Sequence, residues 1–192
     1  MNDSSVNALS VNTLSVNALS RLTFGLLVLG GGALLLRSRR ARFRALAVEN
    51  LLERPARGKR YAQLAHELEA AGKRVNVRVE FGAPSQNARK TLSHIIGIER
   101  WGQRRLRVAL GEPLVRDEHH DYKPPRHASW DDLARDFRET RIQTVLLARA
   151  LSENPPPEGW RAPHNGLGEL SARAWLRYLQ THAEVESRRI RR

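Results

Sequence analysis

His182 and Glu186 stand one helical turn apart near the end of the chain, in the run SARAWLRYLQTHAEVESRRI from Ser171 to Ile190. Trp175, Leu179, His182, Glu186 and Ile190 recur at spacings of three and four, so on a helix they share one face. Leu176 and Val185 widen that face, and Arg173, Arg177, Gln180, Glu184 and Arg188 fall mostly on the other side. An apolar face of this kind is expected to bury itself against other helices. An imidazole and a carboxylate on it then need a partner, because burying unsatisfied polar groups is costly. A divalent cation is one such partner; the plainer alternative is a His–Glu hydrogen bond at the end of a bundle. His94 is the one imidazole on another predicted helix placed to face the same spot. His94, His182 and Glu186 are therefore the candidate metal ligands.

The elements that would position them are all helical. In this chain of 192 residues, helices are predicted near 59–74, 86–110, 130–152 and 171–190, with Leu92, Ile96, Phe137 and Trp175 in the core. Pro84-Ser85 opens the second helix, and Leu92, Ile95, Ile96, Glu99, Gln103 and Leu106 form its main stripe. His94, Ile98, Trp101 and Arg105 form an adjoining stripe. Ser129 caps the third helix, with Asp131 and Asp132 favouring its dipole. Arg141 lies on the inward face of that helix, where it either orients an anionic cosubstrate or pairs with Glu99. Asn76–Gly82 alternates like a strand but has no partner run, and reads as an extended connection. Long loops run over Gly111–Ala128 and Glu158–Leu170. Within the first of these, His119 and His120 are adjacent and so point apart; at most they belong to a lid. His127 and His164 are assigned no role. The expected fold is all-α: a four-helix bundle with two long loops, preceded by a non-globular or helical extension.

Composition narrows the function classes. The chain has no cysteine, which removes disulfides, thiolate zinc sites and a cysteine nucleophile. The formal net charge is +13, and it is densest before the bundle: residues 1–60 carry ten Lys or Arg against three Asp or Glu. No nucleic-acid motif accompanies these residues and aromatics are not interleaved with them, so nucleic acid is a disfavoured partner. Residues 1–36 combine a five-residue repeat (SVNAL, SVNTL, SVNAL) with the uncharged run Leu22–Leu36. At fifteen residues that run is shorter than the roughly 17–20 a spanning helix needs. It reads as a short membrane anchor, with membrane contact through residues 22–44, or as the product of a misassigned start. Residues 37–58 read as a basic helix or linker, and residues 59–192 as the bundle.

Three segments, TLSHIIGIERWGQRRLRVALGEP, SWDDLARDFRETR and WLRYLQTHAEVESRRI, resemble in order and spacing the DinB/YfiT-like superfamily, over about residues 59–190. The resemblance implies a four-helix bundle with a crossover after its second helix and a metal held by three histidines. One of these lies on the second helix and two lie at i and i+4 on the fourth. His94 and His182 match two of the positions, and the third is Glu186 here. The resemblance also implies a divalent metal (zinc or nickel), a low-molecular-weight thiol cosubstrate such as bacillithiol or mycothiol, and transfer of that thiol to a small-molecule substrate. The alternatives are a metal-dependent hydrolase and a non-catalytic, stress-related bundle with a degenerate site. A homodimer stays open, and the expected location is the cytoplasm, with the N-terminal anchor as the exception.

Overall fold

The computed structural model describes residues 42–191. Four helices form the bundle: α1 (Tyr61–Glu80), α2 (Gln86–Val108), α3 (Trp130–Glu153) and α4 (Ala172–Ser187). Serine side chains cap three of them. Ser85 accepts from Ala88 N at 3.1 Å, Ser129 from Asp132 N at 3.0 Å and Ser171 from Ala174 N at 3.1 Å. Asp132 reaches back to the Ser129 N–H and completes a capping box.

Cross-helix contacts fix the directions. Along α2 and α3, Arg100 meets Asp136 and Gln103 meets Thr140 and Thr144, so these helices run parallel. Along α1 and α4, Arg74 meets Glu184 and Arg78 meets Ser187, again parallel. Trp101 packs on Trp175 and His94 on His182, so α2 and α4 are antiparallel. Parallel neighbours α2 and α3 force the chain between them to travel back along the bundle, and residues 109–129 form that crossover. This is the all-α four-helix bundle with a long second connection that the helical periodicity implies.

One segment differs from the sequence expectation, and a second is packed more closely than expected. Asn76–Gly82 is not extended: α1 continues to Glu80. Its alternating valines suit a helix because Val75 and Val79, four apart, are both buried while Val77 faces solvent. Residues 42–57, expected as a basic helix or linker, are helical with a π-helical turn at Glu49–Glu53, and they are not detached. Val48, Leu52 and Ala56 are buried in the core. Glu53 is buried too. Its carboxylate accepts from Ser171 N at 2.9 Å and Ser171 Oγ at 2.8 Å, and pairs with Arg161 at 3.0 Å. The leading segment thus fastens the start of α4. The readings placed on residues 1–36 lie outside the described residues. Among the described residues, no helix is long and apolar enough to cross a membrane.

The loop before α4 folds into a short antiparallel hairpin, β1 (Ala162–His164) and β2 (Gly168–Leu170), with Ala162 opposite Leu170 and His164 opposite Gly168. It is held to the bundle by Trp175 Nε1 donating to Ala162 O at 3.2 Å and Arg105 Nε donating to Pro163 O at 3.2 Å. The core has two apolar clusters. One, around Leu64, Trp101, Leu151 and Trp175, includes the hairpin; the other, around Val79, Leu92, Ile96 and Phe137, fills the opposite end. Polar side chains lie where the two meet. On the α2–α3 side these are Glu99, Thr140, Arg141 and Thr144; on the α2–α4 side they are His94 and His182.

Candidate functional site

His94 from α2 and His182 from α4 meet edge to face, with ring centroids 5.1 Å apart. The helices approach closely here because α2 carries glycine where α4 needs room: a Cβ on Gly102 would stand 2.6 Å from Leu179 Cδ2. A second glycine admits the crossover, since a Cβ on Gly97 would stand 2.8 Å from the His119 carbonyl oxygen. His119 therefore lies over α2, its ring 5.4 Å from that of His94. Asp117 anchors the crossover just before it. Its carboxylate accepts from Trp101 Nε1 at 2.9 Å, from Arg105 Nη2 at 2.6 Å and from the Tyr122 hydroxyl. His120 turns away, exposed beside Glu118 and Asp121. His127 is exposed as well.

The imidazoles of His94, His182 and His119 are neutral at physiological pH. Burial pushes His94 down to about 4, helped by His119 and by the positive charges of Lys123 and Arg189. Burial also holds His182 well below its ordinary value, reinforced by His94, His164, His119 and Arg189. His119 is lowered for the same first reason, then by Lys123 and His120. A neutral imidazole keeps the lone pair that a metal ion requires.

Two imidazoles on one ion at 2.0–2.1 Å, about a tetrahedral angle apart, place their ring centroids roughly 5.2 Å from each other. The His94–His182 centroid separation matches that spacing, which is also an ordinary distance for an edge-to-face ring contact. The third donor is not in place. Glu186 is buried on the same helix one turn on, but its carboxylate pairs with Arg189 Nη1 at 2.7 Å. Burial raises its pKa, and Arg189 works against that rise. Among the described residues, no three His, Asp or Glu side chains are gathered so as to hold one ion.

Arg141 belongs to the other polar layer. Its guanidinium donates to Glu99 Oε2 at 2.9 Å and to Leu68 O at 3.2 Å, and Nε lies 2.8 Å from Glu99 Oε1. Thr144 adds a 2.7 Å hydrogen bond to Glu99. Of the two roles the sequence left open for Arg141, the structure places it in the ion pair. Its side chain also fills the space beside Gly72, where a Cβ would stand 2.7 Å from Arg141 Cγ. With its charge met inside the bundle, Arg141 has no evident part in the histidine site.

His164, which the sequence left without a role, is buried at the end of β1. It packs against Trp101, Trp175 and Tyr178 at centroid distances of 4.9, 5.2 and 4.8 Å. Tyr178 in turn lies 5.5 Å from His182. The one sequence hint was the turn-forming Asn165-Gly166 directly after it, which marks a tight turn with His164 at its entry.

No family model, no curated protein and no solved structure matches this chain. The likeness to the DinB/YfiT-like superfamily rests on the three segments quoted above.

Proposed function

We propose that the chain is a DinB-like bundle that takes up a divalent metal, zinc or nickel, on His94 and His182, with Glu186 as third donor. On this reading it transfers a low-molecular-weight thiol to a small electrophilic substrate. The observation that carries it is the separation of two neutral imidazoles from facing helices, 5.1 Å between centroids. Glu186 must exchange Arg189 for the ion. The ion would then meet the buried carboxylate in place of the half-exposed Arg189 guanidinium. Bound there, a three-ligand ion would keep an open coordination position that holds a thiol as thiolate. The sulfur must come from a cosubstrate, since the chain has no cysteine. Arg141 is assigned to the fold and not to the reaction.

The ion pair of Glu186 with Arg189 favours a second reading, a non-catalytic bundle with a degenerate metal position. Elemental analysis of the purified full chain separates the two, followed by a screen of small thiols against small electrophiles. Stoichiometric zinc or nickel in wild type, lost in His182→Ala, with metal-dependent thiol consumption, supports the enzyme. Wild type that takes up neither metal at micromolar concentrations, while Glu186→His does, supports the degenerate site.

A further inference from the structure

Two buried hydrogen-bond donors beside the histidine pair have nothing to donate to among the described residues. His164 is 7% exposed and Tyr178 is 1% exposed. His164 Nε2 and the Tyr178 hydroxyl have no hydrogen-bond partner among the described residues. The tautomer of His164 follows from its other edge. Nδ1 accepts from Gly166 N at 3.0 Å and from Leu167 N at 3.2 Å, so it carries no proton. Burial holds the ring neutral, pushing it down to about 3. Its single proton is therefore on Nε2, which makes that atom a donor. The Tyr178 hydroxyl is likewise protonated, because burial and the charge of Glu186 raise its pKa.

Folded proteins seldom leave buried donors unmet, and here two belong to rings in direct contact. No acceptor among the described residues lies within hydrogen-bonding distance of either. Trp101 Nε1 and Trp175 Nε1 are also donors, already spent on Asp117 and on Ala162 O. The Asp117 carboxylate is taken by Trp101, Arg105 and Tyr122. What would satisfy both free donors is an oxygen brought from outside. Tyr178 adjoins His182, and His182 adjoins His94, so the rest of such a molecule would lie along the His94–His182 pair.

We propose that His164 Nε2–H and the Tyr178 hydroxyl form the recognition end of a small-molecule pocket, donating together to a carbonyl or carboxylate oxygen of the ligand. The site stands without the ion, because neither donor is a metal ligand and both are in place in the metal-free chain. It gives the histidine pair a neighbour that would fix one end of a substrate.

The test uses the full chain in the presence of a chelator. The His164 Nε2–H resonance is followed by NMR while acetate, and separately acetamide, is added. A saturable downfield shift is expected with one or both, acetate reporting a carboxylate site and acetamide a carbonyl site. Tyr178→Phe should weaken binding of the effective probe about tenfold, the loss of one hydrogen bond, and should melt no lower than wild type without the probe. Should that variant fail to fold, wild type carrying 3-fluorotyrosine gives the same reading from the Tyr178 fluorine shift on the same titration. No shift with either probe into the hundred-millimolar range overturns the proposal. A shift undiminished by Tyr178→Phe does so as well. A long-lived water bound to Nε2–H that neither probe displaces would show that the donors serve a structural water, and would also overturn it.

Discussion

Lowering the pH from 7 to 5 should destabilise this fold, and His164 allows the size to be worked out. In the folded chain its pKa is pushed down to about 3 by burial; in the unfolded chain it returns to about 6.5. Between those values the unfolded state binds a proton that the folded state refuses, so stability falls as pH falls. From pH 7 to pH 5 the loss is about 2 kcal/mol for this one group. His94, down to about 4, adds a similar amount. Glu99 and Glu186 act in the opposite sense, since burial raises both and their protonation favours the fold as the solution is acidified. Asp117 is held below its ordinary value by Tyr122, Arg105 and Trp101 against the effect of burial, so it loses stability only at lower pH. Urea unfolding of the metal-free chain at pH 7 and pH 5 measures the difference. His164→Asn is the control, because it keeps an acceptor for the Gly166 and Leu167 N–H groups but does not titrate. Its loss between the two pH values should be smaller than that of wild type by about 2 kcal/mol. Equal wild-type stability at both pH values would refute the reasoning, as would a pH dependence unchanged in His164→Asn.

The leading segment should behave as core: Leu52→Ala, at a side chain 1% exposed, should cost about 2–5 kcal/mol in urea unfolding. Glu99→Gln, which leaves the Arg141 charge buried without its counter-ion, should cost about 3–5 kcal/mol, whereas Arg135→Ala in an exposed pair with Asp132 should cost under about 1 kcal/mol. Gly102→Val should force α2 away from Leu179, lowering the melting temperature and weakening metal uptake together.

Helical periodicity made the four helices legible, and the serine caps marked three of their starts. It failed at Asn76–Gly82 because alternating valines carry a period of two, while burial of Val75 and Val79 followed the helical period. The leading segment reads as a basic helix or linker, and it is helical; its packing was not legible, because the buried positions Leu52 and Glu53 gain their meaning from Ser171 and the hairpin, far along the chain. The pairing of His94 with His182 was legible because His182 sits on the apolar face of a long helix and His94 on the stripe adjoining one. His119 and His164 were not, because both lie in connections. Their inward positions depend on Gly97, on Asp117 and on the turn at Gly166, and no local periodicity encodes such contacts. The hold of Arg189 on Glu186 was missed for a different reason. Glu186 and Arg189 stand at i and i+3, a spacing that pairs side chains on a helix, but Glu186 was weighed only as a partner for His182.

Cobalt(II) titration followed by visible absorption tests the central claim most directly, because the spectrum reports both binding and coordination geometry at the His94–His182 pair. The account predicts stoichiometric uptake with an intense four-coordinate spectrum in wild type. It predicts the loss of that spectrum in both His94→Ala and His182→Ala, and tighter uptake in Arg189→Met, where Glu186 is freed. A wild-type chain that gives only the weak spectrum of hydrated cobalt, or one whose spectrum survives both histidine substitutions, would contradict it.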